Sequence, residues 1–249
     1  MAATVDLIQY LDTLLNARAI NDYCPNGLQV EGKPTVSRIA VAVTASLATV
    51  RAAAAAGMDA LIVHHGYFWK GEDPRVLGPQ RRRLAALLAA DLNLIAYHLP
   101  LDLHPEVGNN ACLGRQLEWP VGGTGGDRSL VAWTDLPSAI DAGTLAARLG
   151  AALAREPLLV GDLSRPLRRI AWCTGAAQDL LPDAVALGAD AFVSGEISER
   201  TTHLARESGV VYASAGHHAT ERYGVQALAA RLEATFGVET RFIDDPNPV

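Results

Sequence analysis

The sequence predicts an α/β protein with two similar lobes, each a mixed sheet flanked by helices, and a metal site between the lobes. Two observations lead to this prediction. Apolar strand-like runs alternate with alanine-rich helical segments, and histidines or carboxylates follow several of the runs directly. In open α/β sheets, residues that follow buried strands converge on one crevice, where such folds place their active sites.

The first twenty residues are predicted to form an amphipathic helix and not a signal peptide. They lack a basic start, their leucines recur at helical spacing, and Thr4 is a candidate N-cap. Farther along, Asp59, Asp91 and His98 interrupt the richest apolar runs before they reach the roughly 20 residues of a membrane span. We therefore expect no membrane helix.

The first half of the chain contains a strand–helix–strand pattern. Residues 38–43 and 60–63 are strand-like, and residues 47–56 between them form a helix ended by Gly57. With 49% hydrophobic residues among 249, the chain can bury one large core or two cores of about 100 to 150 residues each.

The second half repeats this pattern at a constant offset. Residues 170–173 and 191–194 are strand-like, and residues 180–187 form a helix ended by Gly188. Three pairs of matching residues lie 131 positions apart: Ile39 and Ile170, Gly57 and Gly188, Asp59 and Asp190. This spacing favours an internal duplication over chance similarity of alanine-rich segments.

A glycine-rich stretch, residues 121–126, is predicted to be the boundary or a long turn between the repeats. It places one lobe in residues 1–124 and the other in residues 125–249. The last strand-like segment, residues 240–243, belongs to the second lobe or packs back on the first.

Three short stretches supply the candidate metal ligands. His64 and His65 follow the second strand, Asp102 lies four residues after His98, and Glu221 lies four residues after His217. Pro100 argues against a helix through His98 and Asp102, whereas residues 219–232 read as a helix with His217 and Glu221 near its first turn. Glu221 in that turn has a helix-capping role as its alternative.

Imidazole and carboxylate ligands suit Zn, Mn, Fe, Co or Ni. Five such ligands exceed the three of an ordinary mononuclear catalytic zinc site, so two divalent ions about 3.5 to 4 Å apart fit better. Such a pair generates hydroxide near neutral pH, which indicates a hydrolase. The pattern identifies no further catalytic residue.

Other residues near these stretches have open roles. His98 is a metal ligand, a hydrogen-bond partner of a ligand, or a substrate contact. Glu196 transfers protons or caps the helix that begins near Ser198. Phe68 and Trp69 are expected to pack in the core, with stacking on a planar base as the alternative.

Cysteine and charge patterns bound the location and partners. Cys24, Cys112 and Cys173 are odd in number and lack CxxC spacing, which indicates free thiols in a reducing cytoplasm. A net charge of -6 makes nucleic-acid binding over the whole surface unfavourable. The arginines at 81–83 are a solvated helix face or an anion contact for a phosphorylated substrate.

In combination these motifs resemble the dinuclear-metal family of GTP cyclohydrolase I type 2 homologs, also called Ngg-interacting-factor-like proteins. The resemblance runs nearly end to end and is that of the short bacterial form. The motifs are Asn-Gly-Leu-Gln-Val-Glu-Gly at 26–32, Val-His-His-Gly at 63–66, His98 with Asp102, Ser-Gly-Glu at 194–196, and Gly-His-His-Ala-Thr-Glu-Arg at 216–222.

The resemblance implies two facing α/β lobes, a homohexameric ring, and metal ligands at His64, His65, Asp102, His217 and Glu221. It also implies opening of the guanine imidazole ring of GTP, or work on a similar small substrate. The alternative is a non-catalytic metal-binding ring that acts as a scaffold or regulator. A weaker third hypothesis is DNA binding through the arginines at 81–83.

Overall fold

The computed structural model describes residues 1–249 and alternates strands with helices along the chain. The strands are β1 (Ala2–Ala3), β2 (Gly27–Val30), β3 (Thr35–Val36), β4 (Arg38–Thr44), β5 (Ala60–His65), β6 (Asn93–Ala96), β7 (Gly123–Gly125), β8 (Val131–Ile140), β9 (Leu158–Val160), β10 (Leu167–Trp172), β11 (Ala191–Ser194), β12 (Val211–Ser214) and β13 (Glu239–Phe242). The helices are α1 (Thr4–Leu14), α2 (Leu47–Ala55), α3 (Gly78–Ala89), α4 (Leu99–Leu103), α5 (Asn109–Gln116), α6 (Ala142–Leu153), α7 (Leu181–Ala186), α8 (Glu199–Ser208) and α9 (His217–Phe236). The predicted mixed α/β class, with sheets flanked by helices, is confirmed.

The chain divides into two compact units. Unit 1 contains Met1–Gly108 and Gly224–Pro246, and unit 2 contains Asn109–Tyr223 and Asn247–Val249. Helix α9 is continuous across this division. The boundary predicted at residues 124 and 125 differs from it, because the glycine-rich stretch lies inside unit 2, where β7 pairs with β8.

Unit 1 is built on a sheet with strand order β13-β4-β5-β6-β2. All pairings are parallel except that of β2, which lies antiparallel to β6. Alternate residues of β4 pack on opposite faces: Ile39 lies in a cluster with residues of α1 and α9, and Ala40 lies in a cluster with residues of α2 and α3. Burial on both faces explains why these strands read as continuous apolar runs.

Unit 2 is built on a sheet with strand order β7-β8-β10-β11-β12-β9. Its three central strands, β10 to β12, are parallel, and antiparallel strands flank them on both sides. Ile170 packs with residues of α6, whereas its neighbour Ala171 packs with residues of α7 and α8. The sheet is again covered on both faces.

The two units share one local construction, which supports the duplication. Asp59 Oδ2 accepts hydrogen bonds from the successive amides of residues 37 and 38 at 2.9 and 3.0 Å. Asp190 Oδ2 accepts them from residues 168 and 169, both at 2.9 Å. Each aspartate thus ties the start of its unit's first parallel strand to the start of the next, and the matching residues keep the spacing seen in the sequence.

Two local predictions about helix starts are wrong. Helix α4 forms although Pro100 lies within it, because the proline occupies the first turn, where its missing N–H has no intrahelical acceptor to lose. At the start of α1 the N-cap position is Ala3, since the Thr4 hydroxyl donates instead to a backbone carbonyl. The three cysteines are buried and none of them forms a disulfide, as expected. None of the helices combines the length and apolar character needed to traverse a bilayer.

Candidate metal centre

Strand β5 ends in His64 and His65, and a tight loop follows them. A Cβ on Gly66 would lie 2.2 Å from Oε1 of Gln29, so only glycine fits there. Gln29 Oε1 accepts from the Tyr67 amide at 2.7 Å, and Gln29 Nε2 donates to the Tyr67 carbonyl at 3.1 Å. Gln29 therefore fixes the loop that follows the two histidines.

His64 presents one ring nitrogen to a buried carboxylate. Its side chain is fully buried, and Nδ1 lies 3.0 Å from the Tyr97 carbonyl oxygen. Because a carbonyl only accepts, Nδ1 carries the proton and Nε2 keeps its lone pair when the ring is neutral. Nε2 lies 3.5 Å from Oδ1 of Asp102. A lone pair facing a carboxylate at this distance is stabilised by a cation, either a proton or a metal ion.

His65 and His98 complete the histidine cluster of unit 1. The ring centroids of His64 and His65 are 4.5 Å apart, and those of His64 and His98 are 5.0 Å apart. One ring nitrogen from each of the three histidines lies within 4.8 Å of the others. His65 Nδ1 also lies 3.1 Å from Oγ1 of Thr44. The set has the spacing of a metal-binding group.

Asp22 holds His98 in this cluster. Its Oδ1 lies 2.8 Å from Nδ1 of His98, and its Oδ2 accepts from the Leu99 amide at 2.9 Å. Burial tends to raise the pKa of Asp22, but hydrogen bonds from His98 and Asn26 and the charge of His98 outweigh it and lower the pKa to about 2. The ionised carboxylate therefore orients the imidazole, as the partners of metal-binding histidines commonly do.

A second group in unit 1 is less suited to a metal. Asp22, Cys24 and His98 also offer atoms within 4.8 Å of one another. Burial, and then the charge of Asp22, raise the pKa of the Cys24 thiol to about 12. Since the thiolate is the form that binds metals, the imidazole and carboxylate groups are the better ligands.

In unit 2, His217 lies between two carboxylates. Its Nδ1 is 2.6 Å from Oε1 of Glu196, and its Nε2 is 3.1 Å from Oε2 of Glu221, one helical turn along α9. Burial lowers the pKa of His217, but the hydrogen bond and charge of Glu221, followed by those of Glu196, raise it to about 9. The pocket is thus built for a cation between His217 and Glu221. The alternative role of Glu196 as a helix cap is wrong, because Ser198 caps α8 through its own side chain.

Two glycines make room for these side chains. Gly175 has φ +71, and a Cβ there would lie 2.0 Å from Oε1 of Glu221. A Cβ on Gly195 would lie 2.6 Å from the Cα of His217. The loop at Gly175 is tied to the first turn of α9, because its amide donates to the Thr220 hydroxyl at 3.1 Å. Backbone packing therefore sets the positions of His217 and Glu221.

The predicted site residues divide between the two units. Within unit 1, His64, His65, Asp102 and His98 are neighbours, and within unit 2, His217 and Glu221 adjoin Glu196. The residues that sequence reasoning missed are Asp22, Gln29 and Gly175. Gln29 lies in the 26–32 motif, which marked its importance, whereas Asp22 and Gly175 carry no pattern that singles them out.

The prediction that Phe68 and Trp69 pack in the core is wrong for Phe68. Phe68 is 40% exposed and has φ +64, a conformation that is costly for a bulky side chain. Trp69 is half-buried and meets the His98 ring edge-on, with centroids 4.9 Å apart. The aromatic loop therefore lies beside the histidine cluster.

A mixed α/β fold with clustered imidazole and carboxylate groups defines the class as a candidate metalloprotein. The family model described as Duf34/NIF3 (NGG1p interacting factor 3) matches residues 2–248, and the chain belongs to this family.

Relatives and solved structures agree with the family. A Pseudomonas aeruginosa protein named GTP cyclohydrolase 1 type 2 homolog is 55% identical over 245 residues, which is 97% of each chain. The solved structure of protein ybgI, titled as of unknown function, superposes with TM-score 0.95 at 48% identity and covers 99% of this chain and 100% of its own. The crystal structure of TTHA1606 from Thermus thermophilus has TM-score 0.90 at 38% identity, with coverage of 99% and 100%.

Proposed function

We propose that this protein is a divalent-metal-dependent hydrolase that acts on a nucleotide or a similar small substrate. In this proposal His64, His65, Asp102, His217 and Glu221 bind two ions, each Zn, Mn, Fe, Co or Ni. The proposal also includes a homohexameric ring in the cytoplasm. The name of the Pseudomonas relative supports a guanine nucleotide as the first substrate to test.

One observation carries the proposal: both units hold a histidine by Nδ1 and present its Nε2 to a buried carboxylate. The Tyr97 carbonyl holds His64 toward Asp102, and Glu196 holds His217 toward Glu221. Donors restricted to nitrogen and oxygen match catalytic sites better than closed structural zinc sites.

Divalent ions bound here would supply Lewis acidity and hydroxide at neutral pH. Residues of the chain orient the ligands and are placed to transfer protons. The Tyr97 carbonyl and Glu196 orient the imidazoles, and Asp22 keeps the His98 ring beside them. Glu196 is also half-exposed, so it is placed to take or return a proton at His217 Nδ1.

The test is turnover by protein loaded with Mn, Zn or Fe, using GTP within a panel of phosphorylated compounds and measuring bound metal by mass spectrometry. We expect His217→Ala to lower both metal content and turnover, the latter by at least about 100-fold. His203→Ala is the matched control, because His203 is exposed on α8 and belongs to none of the candidate metal groups.

Two results would contradict the proposal that this protein is a hydrolase. One is a lack of metal-dependent turnover across the panel. The other is full activity in His217→Ala. A lower melting temperature and lost assembly on a sizing column in His217→Ala, together with an inactive wild type, would favour the scaffold instead.

A further inference from the structure

A groove of about 370 Å³ opens in unit 1 beside the histidine cluster. Its walls are the loop after β5 and the first turns of α3, and they include Trp69, Glu72, Arg75 and Arg83. The volume is in the range of sites for small molecules, which start at about 300 Å³.

Trp69 joins the groove to the cluster. Its ring lies 4.9 Å from that of His98 and 6.1 Å from that of His65, measured between centroids. An indole in a groove wall offers a surface on which a planar heterocycle stacks. A ring bound against Trp69 would therefore lie next to the candidate ligands.

Arg83 is the cation of the groove that has no carboxylate partner. Its guanidinium lies over the Tyr67 ring, 5.8 Å from the centroid. Arg75 is paired with Asp73, with 2.9 Å between Nε and Oδ2, and Glu72 accepts a hydrogen bond from the Trp69 amide at 3.1 Å. Arg83 can therefore take an anionic group, and its planar donor fork suits a phosphate.

We propose that this groove binds the substrate as a phosphorylated planar heterocycle, with the ring on Trp69 and the phosphate at Arg83. This assignment rests on the proposed function, since it delivers the ring to the histidine cluster. It also gives Arg83 a role that its two neighbours do not share. Arg81 and Arg82 are exposed, whereas Arg83 is half-buried in the groove wall.

The experiment measures the Kd of GTP, guanosine and inorganic triphosphate by calorimetry, with metal-free and with Mn-loaded protein. We expect Arg83→Gln to weaken GTP and triphosphate about tenfold and to leave guanosine unchanged. Trp69→Leu should weaken GTP and guanosine by a similar factor and leave triphosphate unchanged, and Trp69→Phe should restore part of the loss. Arg82→Gln is the control for general charge and should change none of the three.

The inference is overturned if GTP does not bind saturably, if Arg82→Gln matches Arg83→Gln, or if Trp69→Leu leaves guanosine binding intact. These results are independent of turnover. If the expected Kd pattern is found without metal-dependent turnover, substrate binding in the groove is supported and the hydrolase proposal is contradicted. If turnover is found without the Kd pattern, the hydrolase proposal is supported and substrate binding in the groove is contradicted.

Discussion

Asp59 stabilises unit 1 through one carboxylate that meets several donors. Its Oδ1 accepts a hydrogen bond from the Lys33 ammonium at 2.7 Å. Its Oδ2 accepts from two successive amides, those of Ser37 and of Arg38, the first residue of β4. Burial tends to raise the pKa of Asp59, but these hydrogen bonds outweigh it and lower the pKa to about 2. A folded-state pKa below the unfolded value means that the stabilisation is present above about pH 4 and is lost as the pH falls toward 2.

We therefore expect Asp59→Asn to lower the free energy of unfolding by about 2 kcal/mol at pH 7. The difference from the wild type should shrink as the pH falls from 4 to 2. Urea unfolding across this range measures it. Asp179→Asn is the control, because Asp179 forms an exposed pair with Arg200 and should cost no more than about 1 kcal/mol. A difference that is independent of pH would contradict the assignment.

The absence of a side chain at Gly175 leaves the space that the Glu221 carboxylate occupies. We expect Gly175→Ala to displace Glu221, because the new methyl group would lie 2.0 Å from Oε1, and to reduce bound divalent metal as well as stability. Gly237→Ala is matched in backbone strain, with φ +63 and nothing within 4 Å of the added Cβ. It should cost about 1 kcal/mol and leave metal content unchanged. Equal metal content in both variants would exclude this role for Gly175.

At the scale of elements, segment 26–32 ties together the loops that carry the unit 1 cluster. The Asn26 side chain accepts from the His98 amide at 2.8 Å and donates to Asp22 at 2.9 Å. Gln29 binds the backbone of Tyr67 on both sides. The amide of Gly32 donates to the Asn93 side chain at 2.9 Å. One short segment thus fixes both the loop after β5 and the loop after β6.

Gln29→Ala removes the hydrogen bonds to both backbone groups of Tyr67. We expect stability to fall by about 1 to 3 kcal/mol and the Tyr67 amide to exchange faster with solvent. Hydrogen exchange read by mass spectrometry detects the local opening. Gln9→Ala, at an exposed position of α1, should stay within about 0.5 kcal/mol of the wild type. Unchanged exchange at Tyr67 would show that the loop is held by other contacts.

At the scale of the whole molecule, the sequence predicted the features that depend on residues close together in the chain. The parallel strands follow from apolar runs, and the helices between them follow from the segments ended by Gly57 and Gly188. The pairing of His217 with Glu221 follows from helical spacing. The repeat was visible because both units keep the same aspartate, and both aspartates make the same backbone contacts.

The sequence did not predict contacts that depend on distant packing. Asp22 meets His98 across 76 positions, and Gln29 meets Tyr67 across 38. The helix at Pro100 was missed because a proline in the first turn is compatible with a helix. The sequence left open whether the last strand-like segment belongs to the second lobe or packs back on the first, and β13 pairs with β4 near the start of the chain, within unit 1.

That pairing makes unit 1 discontinuous in the chain, and this limits where the protein can be cut. A fragment ending at Gly108 would lack β13 and leave the β4 edge with unpaired backbone groups beside an apolar core. Such edges recruit strands from other molecules and promote aggregation. During synthesis, the same edge stays open until residues 239–242 have left the ribosome.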